Sequence, residues 1–244
     1  MLYLIGIGLG DEKDISLNAL NVLKNCDFVY LENYTSKLFF DVEKFEYLIG
    51  KKIILADRDL VENKDQIVNN ALNKTVAFLV KGDVFSATTH SDLFLRAKEK
   101  GVLVKIIHNS SILTAVGDTG LSLYKFGKVA SIPFDNKNVK TPITIFLDNH
   151  KLKMHTLFLL DLSPKEETYM NFKEAIKYLV DLCPQIKNST QIIVCGALGT
   201  EDSIIKYGEI NDLLNIEINI YPQCIIIPAE LHFMEEEMLN SFKV

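Results

Sequence analysis

MLYLIGIGLG, residues 1–10, and TVAFLVKGDVFSATTH, residues 75–90, share one design. Each begins with a nearly unbroken apolar run, as expected of a parallel strand covered on both faces. Each then breaks at small residues: Gly6, Gly8 and Gly10 in the first, Gly82-Asp83 and Ala87-Thr88-Thr89 in the second. Glycine lets the chain turn sharply and approach a ligand with no side chain in the way. Two such strands predict a ligand crevice at the carboxyl edge of a parallel sheet.

A dinucleotide-binding fold does not fit the spacing. The fingerprint needs Gly-x-Gly-x-x-Gly entering a helix and an acidic residue about twenty positions on. Here the glycines alternate, and Asp11-Glu12 follow where a pyrophosphate needs a positive helix end. Glu32, at the end of the next predicted strand, is the residue that would stand for the ribose-binding acid. There is no phosphate-loop lysine motif.

Outward from these loops the amino-terminal half alternates strand and helix. Phe28–Leu31, Lys52–Ala56, Thr75–Val80 and Val102–Ile107 read as strands; Ser16–Asn25, Val61–Leu72 and Asp92–Lys98 read as helices. The second half is richer in strand. Val129–Ile132, His155–Leu162 and Gln191–Ala197 read as strands, and Ile216–Ile220 with Cys224–Ile227 as a hairpin about Tyr221-Pro222. Thr141, followed by Pro142, is expected to cap a helix, and Met170–Leu182 is amphipathic. The fold class is therefore α/β in two domains, residues 1–113 and 114–244, the first sheet mostly parallel, the second mixed, with a ligand cleft between them.

Composition narrows the function. At 244 residues with 48% hydrophobic content there is ample core for two domains. A net charge of −6 argues against broad nucleic-acid binding, which needs phosphate neutralisation. No apolar run approaches the roughly 18 residues of a membrane span, and the amino terminus reads as a strand rather than a leader. Cys26, Cys183, Cys195 and Cys224 lie apart inside apolar segments, without metal-ligand spacing; they read as buried reduced thiols of a cytoplasmic protein.

Several motifs together are similar to a known family. The opening MLYLIGIGLGDEKDISLNAL, YLENYTS (30–36), ILADRDLVE (54–62), GDVFSATTHSDLFLRAKEKG (82–101), IHNSSILTAVGDTGLSLYKFG (107–127), HTLFLLDL (155–162) and IIIPAELHFMEEEML (225–239) resemble the diphthine synthases. These are S-adenosylmethionine-dependent methyltransferases of the tetrapyrrole-methylase type. The likeness runs in order along nearly the whole chain. ATTHSDL and IHNSSI distinguish it from the tetrapyrrole enzymes that share the fold.

The resemblance implies a tetrapyrrole-methylase-like fold and S-adenosyl-L-methionine as cofactor. It implies translation elongation factor 2 as protein substrate, methylated on a histidine already carrying a 3-amino-3-carboxypropyl group. The amine takes successive methyls, and eukaryotic members esterify the carboxylate as well. A cytoplasmic homodimer with no metal, nucleic acid or membrane partner is also implied. Carried over residue by residue, the cofactor contacts are Leu9, Asp83, Ser86, Ser111, Ile112, Leu160, Tyr207 and His232. No catalytic base is assigned. This chain departs from the family at Val84, where a proline usually follows Gly-Asp, at Ala229-Glu230, which replace a glycine-lysine pair, and in short segments after Phe134 and Leu162.

Other readings stay open from sequence. The chain is an enzyme acting on a protein side chain, a cofactor-binding module that has lost turnover, or a tetrapyrrole methylase. Asp83 is a cofactor contact or a turn residue. His90 is an acceptor-side base or a helix cap. Tyr34-Thr35-Ser36 faces substrate or is a plain loop. His108 and His155 read as structural, and Glu235-Glu236-Glu237 as a solvated helix face.

Overall fold

The computed structural model describes residues 1–244, the side chain of Lys165 apart. The chain forms two compact units: Met1–Ala115 with Gly199–Glu201, and Val116–Leu198 with Asp202–Val244.

The first unit contains β1 (Leu2–Gly6), α1 (Leu17–Lys24), β2 (Phe28–Glu32), α2 (Val42–Ile49), β3 (Ile53–Ala56), α3 (Gln66–Asn73), β4 (Val76–Val80), α4 (Ser91–Glu99), β5 (Val104–Ile107) and α5 (Ile112–Ala115). Its sheet has the order β3-β2-β4-β1-β5 and every pair is parallel. Alternation along the central strands divides two cores. Leu2, Leu4, Val76, Phe78 and Val80 face Ile67 and Val68 of α3 and Leu93 of α4. Ile5, Ala77 and Leu79 face Leu23 of α1 and Phe45 of α2. Each fully buried large aliphatic side chain contributes about 1.5–3 kcal/mol, so the middle of the sheet is the rigid base on which the loops stand.

Caps set the helix ends. Ser16 accepts from the Ala19 amide at the start of α1, and Asp41 from the Glu43 amide at the start of α2. The predicted helix Val61–Leu72 is two elements: one π-helical turn over Asp59–Asn63, then α3. A break at Lys64, whose backbone is extended, separates them.

The second unit contains β6 (Ala130–Ile132), α6 (Thr141–Lys151), β7 (Thr156–Leu160), β8 (Leu162–Ser163), β9 (Thr168–Tyr169), α7 (Phe172–Leu182), β10 (Gln191–Gly196), β11 (Ile204–Glu209), α8 (Ile210–Leu213), β12 (Gln223–Ile227) and α9 (Phe233–Asn240). Its main sheet, β11-β10-β12-β7-β6, is mixed: β6 and β7 are parallel, the other pairs antiparallel. The hairpin expected about Tyr221-Pro222 does not form. β12 pairs with β10 and β7 instead, and residues 216–220 make no strand. The Gln223 side chain explains this locally: its amide donates to the Ile218 and Ile220 carbonyls and its carbonyl accepts from Phe172. The 216–220 backbone thus bonds to a side chain rather than to a strand. Thr141 is the first residue of α6 rather than its cap, and Lys140 at the cap position makes no side-chain cap bond.

Candidate cofactor site

The carboxyl ends of β4, β1 and β5 lie side by side, and their loops are stitched together. Gly8 and Gly82 exchange backbone hydrogen bonds of 3.2 and 2.9 Å. Both hold positive φ, +79° and +78°, where side chains are strained. Gly6 is required for another reason: a Cβ there would stand 2.6 Å from the Gly82 carbonyl oxygen. A Cβ on Gly82 would lie 3.6 Å from Leu9, 3.7 Å from the Ser110 carbonyl and 3.8 Å from Ser111. Leu9, Ser110 and Ser111 therefore stand around the side-chain-free face of Gly82.

Asp83 is the clasp of these loops. Oδ2 accepts from His108 Nδ1 at 2.8 Å and from the Asn109 amide at 3.2 Å; Oδ1 accepts from Ser86 Oγ at 3.2 Å and the Phe85 amide at 3.3 Å. Burial alone would raise its pKa. The hydrogen bonds from His108 and the Asn109 and Phe85 amides outweigh that and hold the carboxyl below its ordinary range. Asn109 extends the clasp, donating to the carbonyls of Gly6 and Asp14. Ser111 immediately precedes α5 in a reciprocal pair with Thr114, and Ile112 is the first residue of the helix. Val84, the residue in the proline position, is fully buried in the core with Phe78 and Leu93, which anchors the loop by packing.

Five of the eight expected residues thus stand together in the first unit. The three in the second unit do not share a side-chain site. Leu160 ends β7 and its side chain packs in the core with Phe146 and Phe158. Tyr207 sits on β11, which β12 and β10 separate from β7, roughly 14 Å at ordinary strand spacing. It is paired with Ile193, on the sheet face opposite Val194 and Leu160. His232 is exposed at the N-cap of α9 and accepts from the Met234 amide.

Two groups of functional interest escape a reading of the sequence. Glu235 was expected on a solvated face but is 2% exposed. It accepts from Lys125 Nζ at 2.6 Å and from the Ser122 and His232 amides at 2.9 and 2.8 Å. Burial opposes its ionisation, and these bonds overcome it, holding the carboxyl far below the usual range. Buried His155 completes the cluster. Its Nδ1 accepts from the Ala229 amide at 2.9 Å, so the proton of the neutral ring is on Nε2, directed at Glu235 Oε1 3.3 Å away. His155 is the satisfied polar residue that its position before a strand suggests. The second group is Lys81, buried at the end of β4, whose Nζ donates to the Gly10 carbonyl. A lysine closing an otherwise apolar run was the available signal.

Glu32 does not bind a ribose-like ligand in this arrangement. It is buried and accepts from the Tyr34 and Thr35 amides and the Thr35 hydroxyl. His90 occupies the N-cap position of α4 without a side-chain cap bond; its Nε2 lies 3.5 Å from the Tyr34 hydroxyl. Burial lowers its pKa, against the opposing pull of Glu32, the Val84 carbonyl and Glu62. All four cysteines are buried and free. A shallow hollow bounded by Glu12, Lys13, Asp41, Glu43 and Tyr47 contains none of the eight residues. Among the described residues no helix is long and apolar enough to cross a membrane, and no cluster of three or more metal-binding side chains is present.

Residues 1–214 match the family model for tetrapyrrole (corrin/porphyrin) methylases. Diphthine synthase of Methanococcus maripaludis is 40% identical, over 98% of both chains. The diphthine methyl ester synthase of Homo sapiens is 38% identical over 100% of this chain and 95% of its own. A crystal structure of diphthine synthase superimposes with a TM-score of 0.92 at 35% identity, covering 100% of this chain and 96% of that one. This chain belongs to the diphthine synthase group of the tetrapyrrole methylases. Family membership makes it a methyltransferase, and excludes a dinucleotide-binding reading of its glycine loops. The stitched loops after β1, β4 and β5 are the part of this methylase that its opening motifs build.

Proposed function

We propose that this methylase transfers methyl groups from S-adenosyl-L-methionine to the 3-amino-3-carboxypropyl group on a histidine of translation elongation factor 2, on its amine and on its carboxylate. Full-length identity with diphthine synthases and diphthine methyl ester synthases carries the reading. The site's chemistry supports it. S-adenosylmethionine supplies an already activated methyl on a sulfonium, so what the chain must contribute is binding, alignment and exclusion of water, effects that reach about 7–11 kcal/mol. The bare backbone of Gly82 between Leu9 and Ser111 suits such a ligand, because no side chain there blocks a close approach.

In this reading Leu9, Ser86, Ser111 and Ile112 contact the cofactor from loops that Asp83 holds in register. Asp83, with four hydrogen bonds already accepted, acts chiefly by fixing loop geometry and by keeping a negative charge beside a cationic ligand. For Leu160, Tyr207 and His232 the assignment rests on the family resemblance. Leu160, its side chain committed to core, would contribute backbone. The enzyme would work in the cytoplasm as a homodimer.

Labelled methyl transfer tests the proposal. Radioactive S-adenosylmethionine should label elongation factor 2 that carries the aminocarboxypropyl histidine and leave the unmodified factor unlabelled. Label in neither, with cofactor bound, would favour a module that has lost turnover.

A further inference from the structure

Lys81 follows five wholly buried strand residues and is itself only 6% exposed. A buried ammonium is costly unless it is hydrogen-bonded. Its Nζ donates to the Gly10 carbonyl at 2.7 Å and lies 5.2 and 5.9 Å from the ring centroids of Phe39 and Phe40, within cation–π range. From the loop after β1, Asp14 and Asp11 favour its charge. From the 37–40 segment, the Lys37 ammonium lies 5.4 Å from the Phe39 ring that Lys81 also approaches. Burial is the strongest influence and pushes the Lys81 pKa down to about 8, against Asp14 and Asp11.

Gly10 is thereby gripped on both sides. Its amide donates to Asp14 Oδ2 at 2.6 Å, while its carbonyl accepts from Lys81. Gly8, two residues earlier, is bonded through both its amide and its carbonyl to Gly82. Leu9 is the residue suspended between these two anchors. Lys81 immediately precedes Gly82-Asp83, so one short segment secures the first loop at Gly8 by backbone and at Gly10 by side chain.

We propose that Lys81 is a positioning residue for cofactor binding, its ammonium fixing the Gly10 carbonyl so that the Leu9 peptide is held ready for S-adenosylmethionine. This rests on the proposed function and deepens it. Lys81 touches no reacting atom; it acts through the turn. A charge-assisted hydrogen bond is roughly twice as strong as a neutral one, so the grip slackens as the ammonium loses its proton in weakly alkaline solution.

The test is calorimetric titration of the full chain with S-adenosylmethionine near pH 7 and near pH 9.5, for wild type, Lys81→Met and Lys81→Arg. The cofactor's own amino group titrates in this window for all three proteins, so the readout is the difference between their pH profiles. Lys81→Met should bind about tenfold more weakly than wild type near pH 7, and the gap should narrow severalfold near pH 9.5. Lys81→Arg, charged throughout, should lose less affinity with rising pH than wild type does. If Lys81→Met does not fold, the comparison of wild type with Lys81→Arg decides alone. Equal affinities and parallel profiles would overturn the inference while leaving the function intact. Absence of binding by wild type at both pH values would overturn the function and the inference together.

Discussion

His108 Nδ1 and Asp83 Oδ2 stand 2.8 Å apart, joining the loop after β5 to the loop after β4. The two ends of this bond are unlike: His108 is 68% exposed in its side chain, Asp83 only 10%. The carboxylate is the buried hub, and the imidazole is one of its four donors. Removing the hub should therefore cost more than removing the spoke.

Asp83→Ala leaves the Asn109 and Phe85 amides without their acceptor and should destabilise the chain by about 1–3 kcal/mol. His108→Ala, at an exposed position, should cost less than about 1 kcal/mol. Urea unfolding of both variants checks the order. Because the folded pKa of Asp83 lies below its ordinary value of 3.8, its stabilisation is present above that pH and is lost as pH falls beneath it.

The glycines differ in kind. Gly6→Ala drives a Cβ to 2.6 Å from the Gly82 carbonyl, a backbone atom that cannot move without opening the paired loops. Gly82→Ala meets only ordinary contacts and suffers backbone strain of about 1–2 kcal/mol. Thermal melts should rank Gly6→Ala as clearly the less stable, and a reversed order would refute the close approach of these loops.

Glu235→Gln removes the charge paired with Lys125 and should destabilise by about 1–3 kcal/mol, because Lys125 is partly exposed and keeps the Glu230 carbonyl as an acceptor. Its folded pKa is depressed from 4.5, so the stabilising contribution is complete above pH 4.5 and lost as pH falls below it. The difference in unfolding free energy between wild type and variant should hold level from about pH 7 to about pH 5 and shrink as pH falls toward about 3.

His155 should take up its proton at a lower pH than an ordinary histidine, since burial lowers its pKa more than Glu235 raises it, and its neutral ring should carry the proton on Nε2. A nitrogen NMR titration of the imidazole reads both the midpoint and the tautomer. A midpoint above 6.5, or a neutral ring with its proton on Nδ1, would contradict the bonding described for Ala229 and Glu235.

Local pattern made much of this legible in advance. The parallel sheet was visible because β1 and β4 are buried on both faces and therefore nearly uniformly apolar. The mixed second sheet followed from the density of strand-like runs. Residues 216–220 were misread because their apolar alternation is that of a strand, whereas Gln223 supplies their hydrogen bonds. Glu235 was misread for a related reason: three successive glutamates look solvated, and only tertiary packing shows that the first one turns inward to Lys125 and His155. That Leu9, Asp83 and Ser111 lie on loops after β1, β4 and β5 was legible in the strand pattern and motifs, while Lys81 and His108 acquire meaning only from the partners the fold brings to them.

Methyl transfer to a modified histidine of elongation factor 2 is read out by the mass of that histidine peptide after incubation with S-adenosylmethionine. Three methyl groups should be added to the amine and a fourth, base-labile one to the carboxylate. An unchanged mass, from protein that binds the cofactor, would contradict this transfer.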